Sequence, residues 1–228
     1  MPEPDITALG ISAAYALIAF VPLAGRHLRR PLVSLCLVAG LIAGFFTREA
    51  VRLAAEVLAP FASLSTGPAS DVASVAIASV VGEVLKALAP LALILMAPTG
   101  PGRGLAYGAA AGAGFGFVMA HQGLAMALGL AGSPFITPAS TVAAVAGWFF
   151  RVLPHTLTTA YVARAGAVGG AGGALLVACL VQFALGFADR LPVILSIPTG
   201  LIPTAAISLI FYVYLWRARR TLLDASGP

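Results

Sequence analysis

The stretch that decides the fold covers residues 72–97 and reads VASVAIASVVGEVLKALAPLALILMA. As a helix it is long and apolar enough to cross the hydrocarbon core of a bilayer, which is about 30 Å thick, so it predicts a membrane span. Two charged residues, Glu83 and Lys86, lie three positions apart near its middle. An ionised side chain at that depth costs at least about 2.5–3.5 kcal/mol. We therefore expect these groups to be paired, to face a wet cavity or to take part in chemistry.

The composition places the whole chain in the membrane class. Of its 228 residues, 60% are hydrophobic and 9% are charged, whereas soluble domains are about 25% charged. The net charge of +5 comes from arginines at the ends of apolar stretches, so it does not indicate nucleic-acid binding. Cys36 and Cys179 both lie in apolar stretches, and we interpret them as small buried hydrophobic residues without a disulfide. The sequence predicts a single transmembrane bundle domain over residues 1–228.

Seven apolar stretches are long enough to cross a bilayer, and they predict an all-α protein with a bundle of seven transmembrane helices. The acidic N-terminus lacks the basic start of a signal peptide, so we count the first stretch as a retained span. The predicted spans are residues 6–24, 31–47, 72–97, 104–130, 139–163, 170–188 and 191–216.

The charges between these spans predict the orientation. With seven spans, arginines dominate on one side of the membrane and acidic residues on the other. The positive-inside rule then puts the N-terminus outside and the C-terminus in the cytoplasm of a multi-pass plasma-membrane protein. The first side holds Arg26, Arg29, Arg30, Arg103, Arg164, Arg217, Arg219 and Arg220, and the second holds Glu3, Asp5, Glu49, Glu56, Asp71 and Asp189, with Arg48, Arg52 and Arg190.

Local patterns also predict how particular spans extend and pack. Arg52 is spaced i,i+3 from Glu49 and i,i+4 from Glu56, as on a solvated helix face, so we expect the second helix to continue beyond the outer membrane surface. Loops are expected over residues 63–70 and 166–173. In the fourth span, Gly108, Gly112 and Gly116 recur at four-residue spacing, which favours close helix packing and a central position in the bundle.

Spans three to five, within residues 72–163, carry the remaining ionisable groups. Glu83 and Lys86 share one face of span three, and Arg151 and His155 share one face of span five. His121 lies in span four and is followed by Gln122.

Two prolines add to this polar character. Pro154 leaves the carbonyl of Phe150 without its helical donor, and Pro90 does the same to the carbonyl of Lys86. Such carbonyls at membrane depth need a polar partner, so we expect a wet polar pocket between the three spans.

Several functions are compatible with this constellation. A carboxylate beside histidines positions and deprotonates water, while neutral imidazoles and Arg151 stabilise an oxyanion. Glu83 paired with Lys86 or Arg151 would instead only lock helices together. A His-Glu-x-x-His zinc motif is absent, and we predict no metal or cofactor, although His121 and His155 leave a metal or haem site open.

Three motifs occur in the order found in glutamic intramembrane proteases. Residues 82–86, GEVLK, resemble the Glu-Glu-x-x-Lys/Arg motif of that group, which includes the PrsW family and the CAAX prenyl endopeptidases. Residues 117–121, FVMAH, are similar to its Phe-x-x-x-His motif. Residues 155–159, HTLTT, resemble its His-x-x-x-Asn motif, with Thr159 at the Asn position.

This resemblance implies an intramembrane endopeptidase acting on membrane-anchored peptides. Glu83 would be the general base, and His121 and His155 would hold the water and the oxyanion. Supporting roles would fall to Lys86, Arg151, Thr159 and Gln122. The family carries a second glutamate where this chain has Gly82.

The framework is also similar to the anterior-pharynx-defective scaffold subunit of γ-secretase, which is identified as a member of the same superfamily. Residues 112–116, GAGFG, resemble its Gly-Leu-x-Phe-Gly segment, and residues 153–156, LPHT, resemble its Leu-Leu-His-Thr segment. Its second histidine corresponds to Gln182 here. This resemblance implies the alternative function, a catalytically inactive scaffold that binds a transmembrane helix of a partner membrane protein.

Overall fold

The computed structural model describes residues 6–58, 68–97, 99–130, 138–188 and 201–224. Within these ranges the chain is helical and contains no β-strand, as predicted for an all-α protein. The helices are α1 (Ile6–Ala24), a 3-10 helix (Gly25–Arg29), α2 (Pro31–Leu58), α3 (Pro68–Met96), α4 (Pro101–Gly129), α5 (Pro138–Gly166), α6 (Ala171–Ala188) and α7 (Leu201–Asp224).

Among the described residues, five helical segments are long and apolar enough to cross a membrane, which is typical of a multi-pass membrane protein. They are Ile6–Arg29, Pro31–Leu58, Val72–Met96, Pro101–Gly129 and Ala171–Ala188. The other two helices, α5 and α7, have 29 and 24 residues. In α5, Arg151, His155 and several threonines lower the mean hydropathy.

Two helix boundaries differ from the prediction. The loop expected over residues 63–70 is wrong for its last three residues, because α3 already begins at Pro68, and residues 63–67 lie outside the described part of the chain. Proline suits the first helical turn, where its missing N–H has no partner to lose. The predicted seventh span began at residue 191, but residues 189–200 lie outside the described part of the chain. From Leu201 the helix continues to Asp224, past the predicted end at residue 216.

Helix α2 extends as the charge pattern predicted. Its 28 residues make a helix about 42 Å long, which exceeds the thickness of a hydrocarbon core. Arg52 donates to Glu49 at 2.9 Å and to Glu56 at 2.6 Å, and all three side chains are exposed.

Helix α4 lies at the centre of the bundle and contacts α1, α2, α3, α5 and α7. Residues 104–116 of α4 are all buried. A Cβ atom at Gly108 would collide with the carbonyl oxygen of Thr159, and one at Gly112 with that of His155. Glycine is therefore what allows the backbones of α4 and α5 to meet, and the predicted central position of span four is confirmed.

The same contacts define an antiparallel register between α4 and α5. Gly104 lies against Ala163, Gly112 against His155 and Gly116 against Val152. This register fixes the height at which the polar residues of α5 face the rest of the bundle.

Candidate functional site

The candidate site contains a buried ion pair on α3. Lys86 Nζ lies 2.5 Å from Glu83 Oε1, and each residue is only 1% exposed. The i,i+3 spacing puts both side chains on one face of the helix, so the backbone of α3 itself preorganises the pair. The predicted pairing of these charges is therefore what the structure contains.

Helix α5 contributes a hydroxyl group to the same carboxylate. Thr158 Oγ1 lies 2.9 Å from Glu83 Oε1 and donates to it. The hydroxyl also lies 2.9 Å from the carbonyl oxygen of Pro154, so its proton is shared between two acceptors. Glu83 Oε2 is buried and makes no hydrogen bond with the described residues.

His155 connects the ion pair to α6. Its Nδ1 lies 3.0 Å from Lys86 Nζ and 3.2 Å from Gln182 Nε2. An ammonium group only donates, so Nδ1 accepts from Lys86 and the ring proton resides on Nε2. The ring also packs against Phe115 of α4, with 4.9 Å between ring centroids. We call Glu83, Lys86, Thr158, His155 and Gln182 the polar network, which joins α3, α5 and α6.

The carbonyl freed by Pro154 finds its partner on α7. Ser208 is buried, and its hydroxyl donates to the carbonyl oxygen of Phe150 at 3.4 Å. The predicted need for a polar partner is thus satisfied by a side chain of another helix, on α7, which is not one of the three spans that we expected to form the pocket.

A cleft of about 400 Å³ opens beside the polar network. All helices from α2 to α6 contribute to its wall, so it is wider than the predicted pocket between spans three, four and five. Its lining residues are Thr47, Val75, Ala78, Ser79, Gly82, Glu83, Lys86, Phe115, Met119, Trp148, Arg151, Pro154, His155, Gln182, Leu185 and Gly186.

The polar side chains that line the cleft differ in how far they are exposed. Glu83 and Lys86 line its wall but are almost completely covered, whereas His155 and Gln182 are partly exposed and Arg151 is exposed. The guanidinium carbon of Arg151 lies 4.7 Å from the centroid of the Trp148 ring, a cation–π geometry. The accessible polar surface is therefore provided mainly by Arg151, His155 and Gln182, with the partly exposed Thr47 beside them.

His121 is not part of this cluster. It stacks on Phe117, one turn earlier on the same face of α4, with ring centroids 6.3 Å apart. Phe117 lines a separate apolar cavity between α1, α2 and α4. Continuing the α4–α5 register places His121 level with residue 147, roughly 12 Å along the helix axis from His155 at 1.5 Å per residue. Glu83 and His155 are brought together, and His121 lies on another face at another depth.

The two remaining predicted supporting residues also lie elsewhere. Thr159 is fully buried, donates to the carbonyl of His155 at 2.8 Å and packs against Gly108. Gln122 is exposed on α4 and does not line the cleft.

The described residues do not favour a shared metal site. They contain no group of three or more histidine, cysteine, aspartate or glutamate side chains that could hold a metal ion. The separation of His121 from His155 also removes the geometric basis for a metal or haem held between them.

Two members of the polar network were not predicted as site residues. Gln182 had only been noted opposite a histidine of the scaffold subunit, and Thr158 had not been considered. The available signal for Thr158 was its position one turn after Pro154, on a helix that already carried the polar face. No comparable periodic signal marks Gln182, because it is the one polar residue within α6.

No family model, curated protein or solved structure matches the chain. The resemblance to glutamic intramembrane proteases and to the γ-secretase scaffold subunit stays a prediction.

Proposed function

We propose that this chain is a non-catalytic membrane scaffold, in which the polar network fixes the helices and the cleft receives a transmembrane helix of a partner protein. The proposal includes seven spans, with the N-terminus outside and the C-terminus in the cytoplasm. The arginine-rich loops support this orientation. One observation carries the functional proposal: Glu83 is buried, and its Oε1 atom accepts hydrogen bonds from Lys86 and Thr158.

This geometry is poorly suited to a general base. A general base must reach the proton that it removes, directly or through one water. Here Glu83 Oε1 already accepts from an ammonium and a hydroxyl, and an ammonium partner stabilises the ionised carboxylate. Position 82, where the proteases carry a second carboxylate, is a glycine, and His121 does not line the cleft.

The cleft supports the binding of a helix. Polar side chains within a bilayer promote association between helices, and the accessible polar groups of this cleft are surrounded by apolar ones such as Met119 and Leu185. A partner helix would cover both kinds of group.

Site-specific photocrosslinking tests the scaffold proposal. A photoreactive amino acid at Met119, in the cleft, should crosslink to a discrete membrane protein. The same group at Leu180, which is exposed on α6 outside the cleft, should not. Filling the cleft with Ala78→Trp should abolish the Met119 product. Equal crosslinking at both positions, insensitive to Ala78→Trp, would rule out cleft docking.

A second candidate function is the glutamic endopeptidase suggested by the motifs. It is favoured by Glu83 Oε2, which belongs to a residue of the cleft wall and is buried without a hydrogen-bond partner among the described residues, so one acceptor site of this carboxylate is unfilled. Under this proposal, purified protein cleaves members of a transmembrane peptide library and Glu83→Gln abolishes cleavage. Cleavage that persists in Glu83→Gln, or a silent wild-type protein, would exclude it.

A further inference from the structure

The accessible polar groups of the cleft are mainly hydrogen-bond donors. Arg151 contributes a guanidinium group, and the partly exposed His155 carries its ring proton on Nε2 because its Nδ1 accepts from the Lys86 ammonium. Gln182 carries both an amide donor and a carbonyl acceptor. The carboxylate of Glu83 is covered and engaged by Lys86, so it contributes little negative charge to the open side of the cleft.

Arg151 is held where an incoming group would meet it. The face of Trp148 supports its guanidinium at 4.7 Å, and both residues line the cleft. A guanidinium has five N–H donors, so it can bind a ligand in addition to the contacts that it already makes. The planar group matches the geometry of a carboxylate.

The depth of Arg151 restricts the source of the anion. In the α4–α5 register Arg151 lies about level with Gly116, close to the middle of the α4 helix at Pro101–Gly129. A lipid phosphate group resides at the interface, about 15 Å from the midplane of a 30 Å core. An acidic side chain on a transmembrane helix reaches the midplane directly.

We propose that the cleft selects a partner helix that carries a carboxylate near its middle, bound by Arg151 with help from His155 and Gln182. This inference rests on the proposed scaffold function and adds the chemistry of the partner. An unpaired acidic residue at membrane depth is costly, so such a helix gains from docking here.

Binding of matched peptides to the full chain in nanodiscs tests this inference. The probes are a fluorescent polyleucine transmembrane peptide with one central glutamate and the same peptide with glutamine. The glutamate peptide should bind at least about tenfold more tightly, as expected for hydrogen bonds to a charged group. Arg151→Gln should remove this preference and leave the glutamine peptide unaffected, which also reports that the variant is folded. Arg151→Lys should keep part of the preference.

The test has one control variant, and each contrary result would overturn a different claim. Arg52→Gln changes an exposed arginine outside the cleft and should alter neither affinity. Equal binding of both peptides would overturn the charge selection and leave helix docking standing, whereas failure of both to bind would overturn both proposals. Displacement of the glutamate peptide by phosphatidylglycerol in the nanodisc would identify a lipid as the anion and overturn the selection of a helix.

Discussion

Lys86 is the residue on which the polar network depends. Its ammonium group bonds to Glu83 and His155 and lies 5.1 Å from the centroid of the Phe115 ring. One cation thus meets a carboxylate, an imidazole and an aromatic face on three helices. These contacts explain why the chain tolerates two charges within an apolar helix, since each charge is compensated where it lies.

Removing either charge of the pair should destabilise the protein more than removing both. Glu83→Gln leaves a buried ammonium and Lys86→Met leaves a buried carboxylate, and each single change should cost about 3–5 kcal/mol. The double variant should recover a large part of that loss in thermal unfolding experiments in detergent.

The exposed ion pair on α2 provides the control for this cycle. Arg52 and Glu49 have the same i,i+3 spacing, but solvent screens them, so Arg52→Gln should cost no more than about 1 kcal/mol. Strictly additive effects of Glu83→Gln and Lys86→Met would contradict the coupling inferred here.

The hydroxyl of Thr158 should contribute measurably to stability. Thr158→Val removes the donor to Glu83 and should cost about 1–3 kcal/mol, the penalty for a buried acceptor that loses its partner. Thr156 is the matched control, because it is also fully buried but donates only to the Val152 carbonyl of its own helix, at 3.2 Å. Equal shifts in melting temperature for Thr156→Val and Thr158→Val would argue against a role for the Glu83 contact.

At this scale the sequence predicted those contacts that follow from helical periodicity. Glu83 with Lys86 is such a contact, and so is the shared face of Arg151 and His155. Contacts between helices depend on register, which periodicity does not encode. His121 was therefore grouped with His155 although the two residues differ in depth. For the same reason Gln182 was not recognised as the partner of His155.

At the scale of helices, the glycines of α4 determine how closely the bundle packs. Gly108 and Gly112 admit the backbone of α5, and Gly40 of α2 meets Ala111 on another side of α4. The polar network depends on this packing, because the height of His155 relative to Lys86 follows from the position of α5 on α4.

A methyl group at Gly112 should force α4 and α5 apart. Gly112→Ala places a Cβ against the His155 carbonyl, so we expect a fall in melting temperature and weaker coupling between Lys86 and His155. Gly172→Ala in α6 has open space and should be neutral or stabilising, since alanine favours helix by up to about 1 kcal/mol. A Gly112→Ala variant as stable as Gly172→Ala would refute the close packing.

Most helices were predictable from apolar length alone, and their ends were not. The 3-10 helix at Gly25–Arg29 follows α1 directly, in the interval between the first two predicted spans, where no helix was predicted. Pro154 lies inside α5 without ending it. There the loss of one hydrogen bond is offset by Ser208 of α7, a partner that no local pattern of α5 reveals.

For the whole molecule, the central question of architecture is whether α5 crosses the membrane. Its polar residues lower its hydropathy, yet Arg151 and His155 line the cleft and its threonines at 156, 158 and 159 are fully buried within the bundle. A helix of this kind is recognised as a span from its contacts more readily than from its composition.

Cysteine accessibility tests the proposed seven-span topology. After Cys36 and Cys179 are replaced by alanine, Leu130→Cys and Val168→Cys mark the ends of α4 and α5, and both positions are exposed. A membrane-impermeant maleimide should label Leu130→Cys in intact cells, and Val168→Cys only after permeabilisation. Labelling of both in intact cells would mean that α5 does not separate the two sides.

The position of Glu83 and Lys86 on one helix also bears on biosynthesis. The two charges neutralise each other within a single turn of α3, so this segment enters the bilayer with its pair already formed and does not wait for another helix to compensate it. Assembly then has only to add Thr158 and His155 to a pair that α3 supplies by itself. Had the two charges been on different helices, each would have crossed the translocation machinery alone, at the full cost of an isolated charge in lipid.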